Sequence, residues 1–270
     1  MGAGYSGTRR VRSSSAQEDL ELWKKHARAY HRHHSLEVAK TPKMFRDIRQ
    51  GHDRVVLYTV ASSHNGLRVE LALREKEVPY EKKTVDITKG SHKTPEYTSI
   101  NPRQKIPSLI HDDVIINESC AAMEYVNAVF NKDIRLRPKD PVKLGKCLQY
   151  IHEFEVNLEP KNIADKVLDQ GKTREDLHED IKILLAELMI WEGYLANRDY
   201  LVDDFSLADI AVFPLIAQLT EWLGLDLSDY PNIERWYRNM RGRSSLKNHP
   251  YFTECSNTSP LHRRILSKEA

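Results

Sequence analysis

Cysteine is scarce in this chain: three in 270 residues (Cys120, Cys147 and Cys255), with no two at C-x-x-C spacing. That excludes a disulfide framework and a dithiol redox motif, and it points to a reducing compartment. No apolar run approaches the ~20 residues that a membrane-spanning helix needs. The opening MGAGYSGTRRVRSSSAQ has none of the apolar core of a secretory signal. One stretch is rich in histidine (His26, His31, His33, His34), but it offers no carboxylate or cysteine at ligand spacing. Its Arg and Lys neighbours oppose a cation, so no metal is expected. The composition is that of a soluble globular chain, long enough for one large domain or two ordinary ones.

Net charge is close to neutral but unevenly spread. Residues 1–52 hold eleven Lys/Arg against five Asp/Glu, a balance of +6 that leaves −4 for the remainder of a chain at +2. This basic stretch reads as an extension of its own. Gly2 and Ser6 fit the M-G-x-x-x-[ST] pattern of N-myristoylation, and Arg9, Arg10 and Arg12 would supply the second, electrostatic signal that one acyl chain requires. Against this stands an organelle presequence, since residues 1–15 are rich in Ser and Arg and free of acid. Glu18 to Lys40 reads as a helix with Leu20, Trp23, Ala27 and Tyr30 on one face, ended by Thr41-Pro42.

A first folded unit is expected over residues 53–131. RVVLYTV (54–60) is a β-branched run of strand length, followed by the loop ASSHNG. GLRVELALREKE (66–77) carries Leu67, Val69, Leu71 and Leu73 as a helical stripe, and Val78-Pro79 ends it. YEKKTVDI (80–87) alternates as a half-buried strand does. PSLIHDD and VIIN give two short strands joined at Asp112-Asp113. ESCAAMEYVNAVF (118–130) closes the unit as a helix, with Ala121, Ala122, Tyr125 and Val129 expected to face inward. Strand–helix–strand, a connecting segment, then strand–strand–helix is the order of an α/β thioredoxin-like domain.

The connecting segment and the two short strands after it, HKTPEYTSINPRQKIPSLIHDDVIINES (92–119), hold the chemistry. A proline after Ile106, between loop and strand, suits a cis peptide bond. The backbone of Ile106 would then be left to pair with an extended peptide as an added edge; the plain alternative is a strand-entry proline. Glu118 and Ser119 fall where a helix begins, so free N–H groups and the helix dipole can hold a ligand carboxylate. Asn117 or Ser119 could also serve as N-cap, and the two roles are compatible. His92, Lys93 and Lys105 read, taken alone, as surface residues, and Cys120 as a buried structural cysteine.

Residues 132–141 are polar, with Pro138 and Pro141, and read as a linker. Val142 to Leu168 and Glu175 to Ala196 are long helical patterns parted by Asp169-Gln170-Gly171-Lys172. IKILLAELMIWEGYL is apolar on more than one face, as a helix central to a bundle would be. In DFSLADIAVFPLIAQLTEWLG, Ser206 and Asp209 form an S-x-x-D cap, Phe205 and Ile210 a hydrophobic staple, and Pro214 suggests a kink. Pro231 to Met240 is a last helix with Ile233, Trp236 and Tyr237 toward the core. Residues 140–250 are thus expected to form an all-α helical-bundle C-terminal domain, with a tail over 251–270.

LYTVASSHNGLRVELALREKEVPYE, KGSHKTPEYTSINPRQKIPSL and NESCAAMEYV together resemble the cytosolic glutathione transferases. The middle segment is most similar to the glutathione-binding segment of the phi and theta classes, and the resemblance runs over about residues 54–250. It implies glutathione as substrate, bound by His92, Lys93, Lys105, Ile106, Pro107, Glu118 and Ser119. The basic residues among these would face the second carboxylate of the peptide. It also places a catalytic serine just after the first strand. Counting back from Arg68-Val69 gives Ser63, with Ser62 as the fallback; His64 stands where several classes have proline.

A hydrogen bond from Ser63 to the sulfur would stabilise thiolate. Lowering a thiol from about 8.5 by two units needs roughly 2.7 kcal/mol. A hydrogen bond to a charged group supplies ~1.5–3 kcal/mol and a helix N-terminus ~0.3–1. Because the residue is Ser and not Cys, conjugation is expected and not thiol–disulfide exchange. The second substrate, a small electrophile, would sit between the domains near Leu148 to Phe154, where the sequence singles out no residue. A homodimer is implied, and no nucleic-acid partner is expected. The alternative is a non-catalytic subunit of the same fold, anchored to a membrane or complex through residues 1–52. A glutathione-dependent dehalogenase or ether-cleaving enzyme would share the site. The expected location is cytoplasmic, or a membrane surface or organelle reached through the extension.

Overall fold

Alternation along one strand decides how the N-terminal half is layered. In a computed structural model that describes Glu21, Lys24, Lys25 and residues 54–131, 133–254 and 262–267, β1 (Val55–Thr59) sends Val55 and Leu57 to one face and Val56 to the other. All three are buried, because β1 is central in a four-stranded sheet of order β2-β1-β3-β4. β2 (Glu81–Thr84) runs parallel to β1, while β3 (Ser108–His111) and β4 (Val114–Asn117) follow antiparallel. Leu57 pairs with Lys82 on one side and Leu109 on the other. Gly2 and its motif, most of the helix expected over Glu18–Lys40, and Cys255 lie outside the described residues.

α1 (His64–Glu75) and α3 (Ser119–Val129) share one core with Leu57 and Leu109. The opposite face is smaller. There α2 (Pro95–Ile100) packs Tyr97 and Ile100 on Val56, Val85 and Ile110. This arrangement is thioredoxin-like, as the order of elements implied. α2 was not foreseen; Thr94 caps it by accepting from the Tyr97 N–H at 3.3 Å, and Pro95 fits its first turn. The strand expected over 80–87 is shorter, because Asp86 accepts from Thr88 Oγ1 at 2.6 Å and the Lys89 N–H at 3.2 Å and turns the chain away.

The inward face of α3 needs correction. Ala122, Met123 and Val126 are buried, Tyr125 is half-buried, and Ala121 and Val129 point outward. The helix is apolar on most sides, so periodicity left its rotation open, and Ser119, tied to α1, sets it.

Among the described residues the C-terminal half is all helical apart from one isolated bridge, Val202 to Asp204. α4 (Pro141–Glu153) does not continue to Leu168 as expected. It passes into a π-helical turn (Phe154–Leu158), a 3₁₀ turn (Glu159–Lys161) and then α5 (Ala164–Leu168). Pro160 has no N–H to continue the ladder. α6 (His178–Tyr194), α7 (Leu207–Glu221), α8 (Pro231–Arg241) and α9 (Pro250–Glu254) complete the bundle. α7 is buried from Leu207 to Leu219 and packs on α1. Its start carries the expected cap: Ser206 Oγ accepts from Ala208 N at 3.2 Å and Asp209 Oδ2 accepts from Ser206 N at 2.9 Å. Asp209 Oδ1 also accepts from Trp236 Nε1 at 2.9 Å, tying α7 to α8.

α1 is held against the helical half at both ends. At its C-terminal end Arg243 donates Nε and Nη2 to the two oxygens of Glu75, each at 2.7 Å, while its guanidinium lies over the Phe205 ring. Bidentate, partly buried pairing of this kind is stronger than a surface ion pair. Beyond the helix, buried Lys76 donates to the carbonyls of Asn127, Asn131 and Ile134.

The approach of α1 to β1 depends on one glycine. A Cβ placed at Gly66 would overlap Thr59 Oγ1 and come within 3.0 Å of Thr59 Cβ. Gly66→Ala is therefore expected to destabilise the protein by about 1–3 kcal/mol through overpacking. Urea unfolding of the two proteins measures it, and an unchanged midpoint would contradict this packing.

Candidate active site

A tight turn brings the chain out of β1 into α1. The Ser63 N–H donates to the Val60 carbonyl at 3.1 Å, and Ser63 is the N-cap of α1, its Oγ accepting from the Gly66 N–H at 3.0 Å. That bond uses an oxygen lone pair and leaves the hydroxyl hydrogen to donate elsewhere.

Beside this helix start lies a groove of about 240 Å³. Five residues expected from the sequence line it: Lys105, Ile106, Pro107, Glu118 and Ser119. Ser63, His92 and Lys93 do not. His92 and Lys93 form a 3₁₀ turn ahead of α2, where Lys93 is exposed and His92 Nδ1 is buried with no hydrogen-bond partner.

The Ile106–Pro107 bond is cis, and β3 begins only at Ser108, so Ile106 stands just outside the ladder. A polar network fixes its position. The Lys105 carbonyl accepts from Tyr97 Oη and Asn101 Nδ2, both at 2.7 Å. Ser108 Oγ donates to Asn117 Oδ1 at 2.7 Å, and Asn117 Nδ2 donates to the Ile100 carbonyl at 3.1 Å. Asn117 is thus committed to this network and does not cap α3.

The N-cap of α3 is Glu118, with φ 67° and ψ 121° and no capping bond from its side chain. A non-glycine residue there costs on the order of 1–3 kcal/mol, and such strain clusters at ligand sites. No capping bond from its side chain satisfies the first N–H groups of α3, and Glu118, Ser119 and Cys120 all line the groove. Ser119 does not cap either. Its Oγ accepts from Arg68 Nη1 at 2.6 Å and donates to Asn65 Oδ1 at 3.2 Å.

Seven lining residues were not assigned to the site from the sequence: Asn65, Arg68, Asn101, Cys120, Phe154, Glu155 and Glu159. Arg68 is 1% exposed. It donates Nε to the Ala211 carbonyl at 2.8 Å and Nη1 to Asn65 and Ser119, and its guanidinium lies 4.5 Å from the Phe154 ring centroid. A charged residue within an otherwise buried helix was the available signal. Glu159 Oε1 accepts from His64 Nε2 at 2.7 Å, and its second oxygen lies 3.7 Å from Arg68 Nη2. Burial alone would raise the Glu159 carboxyl; His64, Arg68 and Asn65 outweigh it and hold the group at about 2. Cys120 is 6% exposed, and burial pushes its thiol up to about 12, which agrees with a structural role.

Fold and groove together define a class: a thioredoxin-like unit that presents a cis-proline edge and an uncapped helix start toward a helical second unit. Comparison with known proteins gives the family. Residues 54–128 match the model of the glutathione S-transferase N-terminal domain, and residues 150–244 that of the C-terminal domain. Glutathione S-transferase A of Pleuronectes platessa is 32% identical over 191 residues, covering 67% of this chain and 84% of the relative. A probable maleylacetoacetate isomerase of Caenorhabditis elegans is 32% identical over 190 residues, 67% of this chain and 85% of its own. The crystal structure of a glutathione S-transferase from the Antarctic clam Laternula elliptica superposes with a TM-score of 0.68 at 26% identity, over 79% of this chain and 99% of that one. The chain belongs to the glutathione S-transferase family.

The depressed Glu159 carboxyl has a consequence for stability. Its folded value of about 2 lies below the ~4.3 of an unfolded glutamate, so its contribution is present above pH ~4.3 and lost as pH falls toward 2. Urea unfolding should show the stability advantage of the wild type over Glu159→Gln shrinking between pH 5 and pH 2. A difference independent of pH would contradict the pairing.

Proposed function

We propose that this protein conjugates reduced glutathione to small electrophiles, with Ser63 stabilising the thiolate. The convergence of Lys105, Ile106, Pro107, Glu118 and Ser119 on one groove beside the start of α1 carries this reading. In it, the extended peptide pairs with the backbone at Ile106 and sets a carboxylate on the free N–H groups of α3 at Glu118-Ser119. Lys105, with His92 and Lys93 on the adjoining turn, attracts the carboxylate at the other end. The family's solved members include a homologue from Sulfitobacter described with bound glutathione, which supports this choice of peptide.

The chemical step follows from the charge on sulfur. The thiol proton passes to solvent, and the Ser63 hydroxyl, its oxygen already accepting from Gly66 N, donates to the thiolate. The sulfur lone pair forms a bond to the electrophilic carbon. Where the substrate is an aryl halide, the halide departs with the electron pair of the carbon–halogen bond. Ser63 forms no covalent bond and is unchanged at the end. A homodimer belongs to the same reading, and light scattering of the full chain measures it.

Glutathione is expected to retain the protein on an affinity matrix, and Ser63→Ala to lower kcat/KM with a generic aryl halide about 10–100-fold near pH 6.5. That range corresponds to the ~1.5–3 kcal/mol of a hydrogen bond to a charged acceptor. The pKa of the bound thiol, read from thiolate absorbance, should rise toward ~8.5 in the variant. Ser62→Ala should leave both near the wild-type values. The reverse result would move the role to Ser62, and no retention at all would refute the proposal.

A further inference from the structure

His64 is a buried imidazole that the chemistry so far leaves without a role. It is 7% exposed, it does not line the groove, and its Nε2 donates to Glu159 Oε1 at 2.7 Å. It is also the first residue of α1 and follows Ser63 directly, whereas Glu159 stands 95 positions away, on the 3₁₀ turn of the helical half. Burying such a pair costs desolvation that two apolar side chains would avoid, so stability alone is a weak reason for it. What the pair adds is position. The first turn of a helix has incomplete hydrogen bonding and opens most easily. Ser63 Oγ takes its bond from the Gly66 N–H of that same turn at 3.0 Å, so the hydroxyl goes where the turn goes. Arg68 fastens α1 to the Ala211 carbonyl one turn further on, and His64 adds an anchor at the residue next to the serine.

We infer that His64 is a positioning residue for the thiolate step: tied to Glu159, it fixes the turn that carries the Ser63 hydroxyl and couples that hydroxyl to the docking of the helical half. It acts through Ser63 and touches no substrate. The hydroxyl must meet the sulfur at hydrogen-bond distance, and a displacement of about 1 Å is enough to lose much of its effect. A charged acceptor makes the stronger anchor, and Glu159 stays ionised because His64, Arg68 and Asn65 outweigh its burial. The inference rests on the glutathione reading and adds to it the residue that sets the serine in place.

Two polar substitutions in the full chain separate position from stability. In His64→Gln the side-chain amide can take the place of the ring Nε2 and donate to Glu159; in His64→Asn the amide is too short to reach it. With reduced glutathione and a generic aryl halide, His64→Asn is expected to lower kcat about 3–10-fold, less than Ser63→Ala because the hydroxyl is displaced and not removed. The pKa of the bound thiol should move part of the way toward ~8.5. The Kd for glutathione, from calorimetry, should stay within about twofold, since His64 does not line the groove. His64→Gln should restore most of kcat and of the thiol pKa. In a Ser63→Ala background His64→Asn should change kcat by less than about twofold, because its effect passes through the missing hydroxyl. Equal losses in the Gln and Asn variants would overturn the inference, as would a full further loss in the Ser63→Ala background. So would a fall in urea stability with kcat and thiol pKa unchanged, the mark of a purely structural pair. A wild type that neither binds nor conjugates glutathione would refute the glutathione reading itself.

Discussion

The guanidinium of Arg68 is the interaction on which the site depends. It sits one turn into α1, almost wholly out of water, and reaches the Ala211 carbonyl in α7, Asn65 at the helix start, Ser119 at the head of α3 and the face of Phe154. A buried guanidinium is costly to desolvate, and here Nε and Nη1 are taken up by these oxygens while Nη2 faces the Glu159 carboxylate at 3.7 Å. Those partners belong to the two halves of the chain, so satisfying one charge fixes how the halves meet. The Arg243–Glu75 pair does the same at the other end of α1. Helix α1 is thus anchored at both ends, and the groove lies along its N-terminal anchor.

The groove's walls are made differently. One is backbone: the cis Ile106–Pro107 step, with the preceding Lys105 carbonyl held by Tyr97 and Asn101, and the strained, uncapped Glu118 that opens α3. The other is side chain: Phe154, Glu155 and Glu159, presented where α4 widens into a π-helical turn. π-Helical turns inside α-helices often occur at functional sites because they re-aim side chains. A backbone wall suits recognition of a peptide shared across a family. The side-chain wall adds two carboxylates and an aromatic face to it.

Much of this was legible in the sequence where the requirement is local. Ile106-Pro107, Glu118-Ser119 and the Ser206–Asp209 cap each depend on a few adjacent residues, and each is found in the expected place. The features that differ from expectation depend on rotation or on distant neighbours. α3 is apolar nearly all round, so its inward face could not be phased from its own residues. The break in α4 follows Pro160 and the packing of Phe154 and Leu158, both buried. Arg68 was visible as a charge between Leu67 and Val69, but its partners lie as far as 143 positions away.

By itself the sequence determined the order of β1, α1, β2, β3, β4 and α3, the family, the proline after Ile106 and the serine at the start of α1, because strand alternation, helix caps and proline chemistry act over a few residues. The tertiary structure decided which side chains close the groove. Glu159 meets His64 across 95 positions and Arg68 across 91, and no periodicity encodes such a meeting. It arises only when α1 is pressed between the sheet and α7, where a buried charge takes the partners that packing brings within reach.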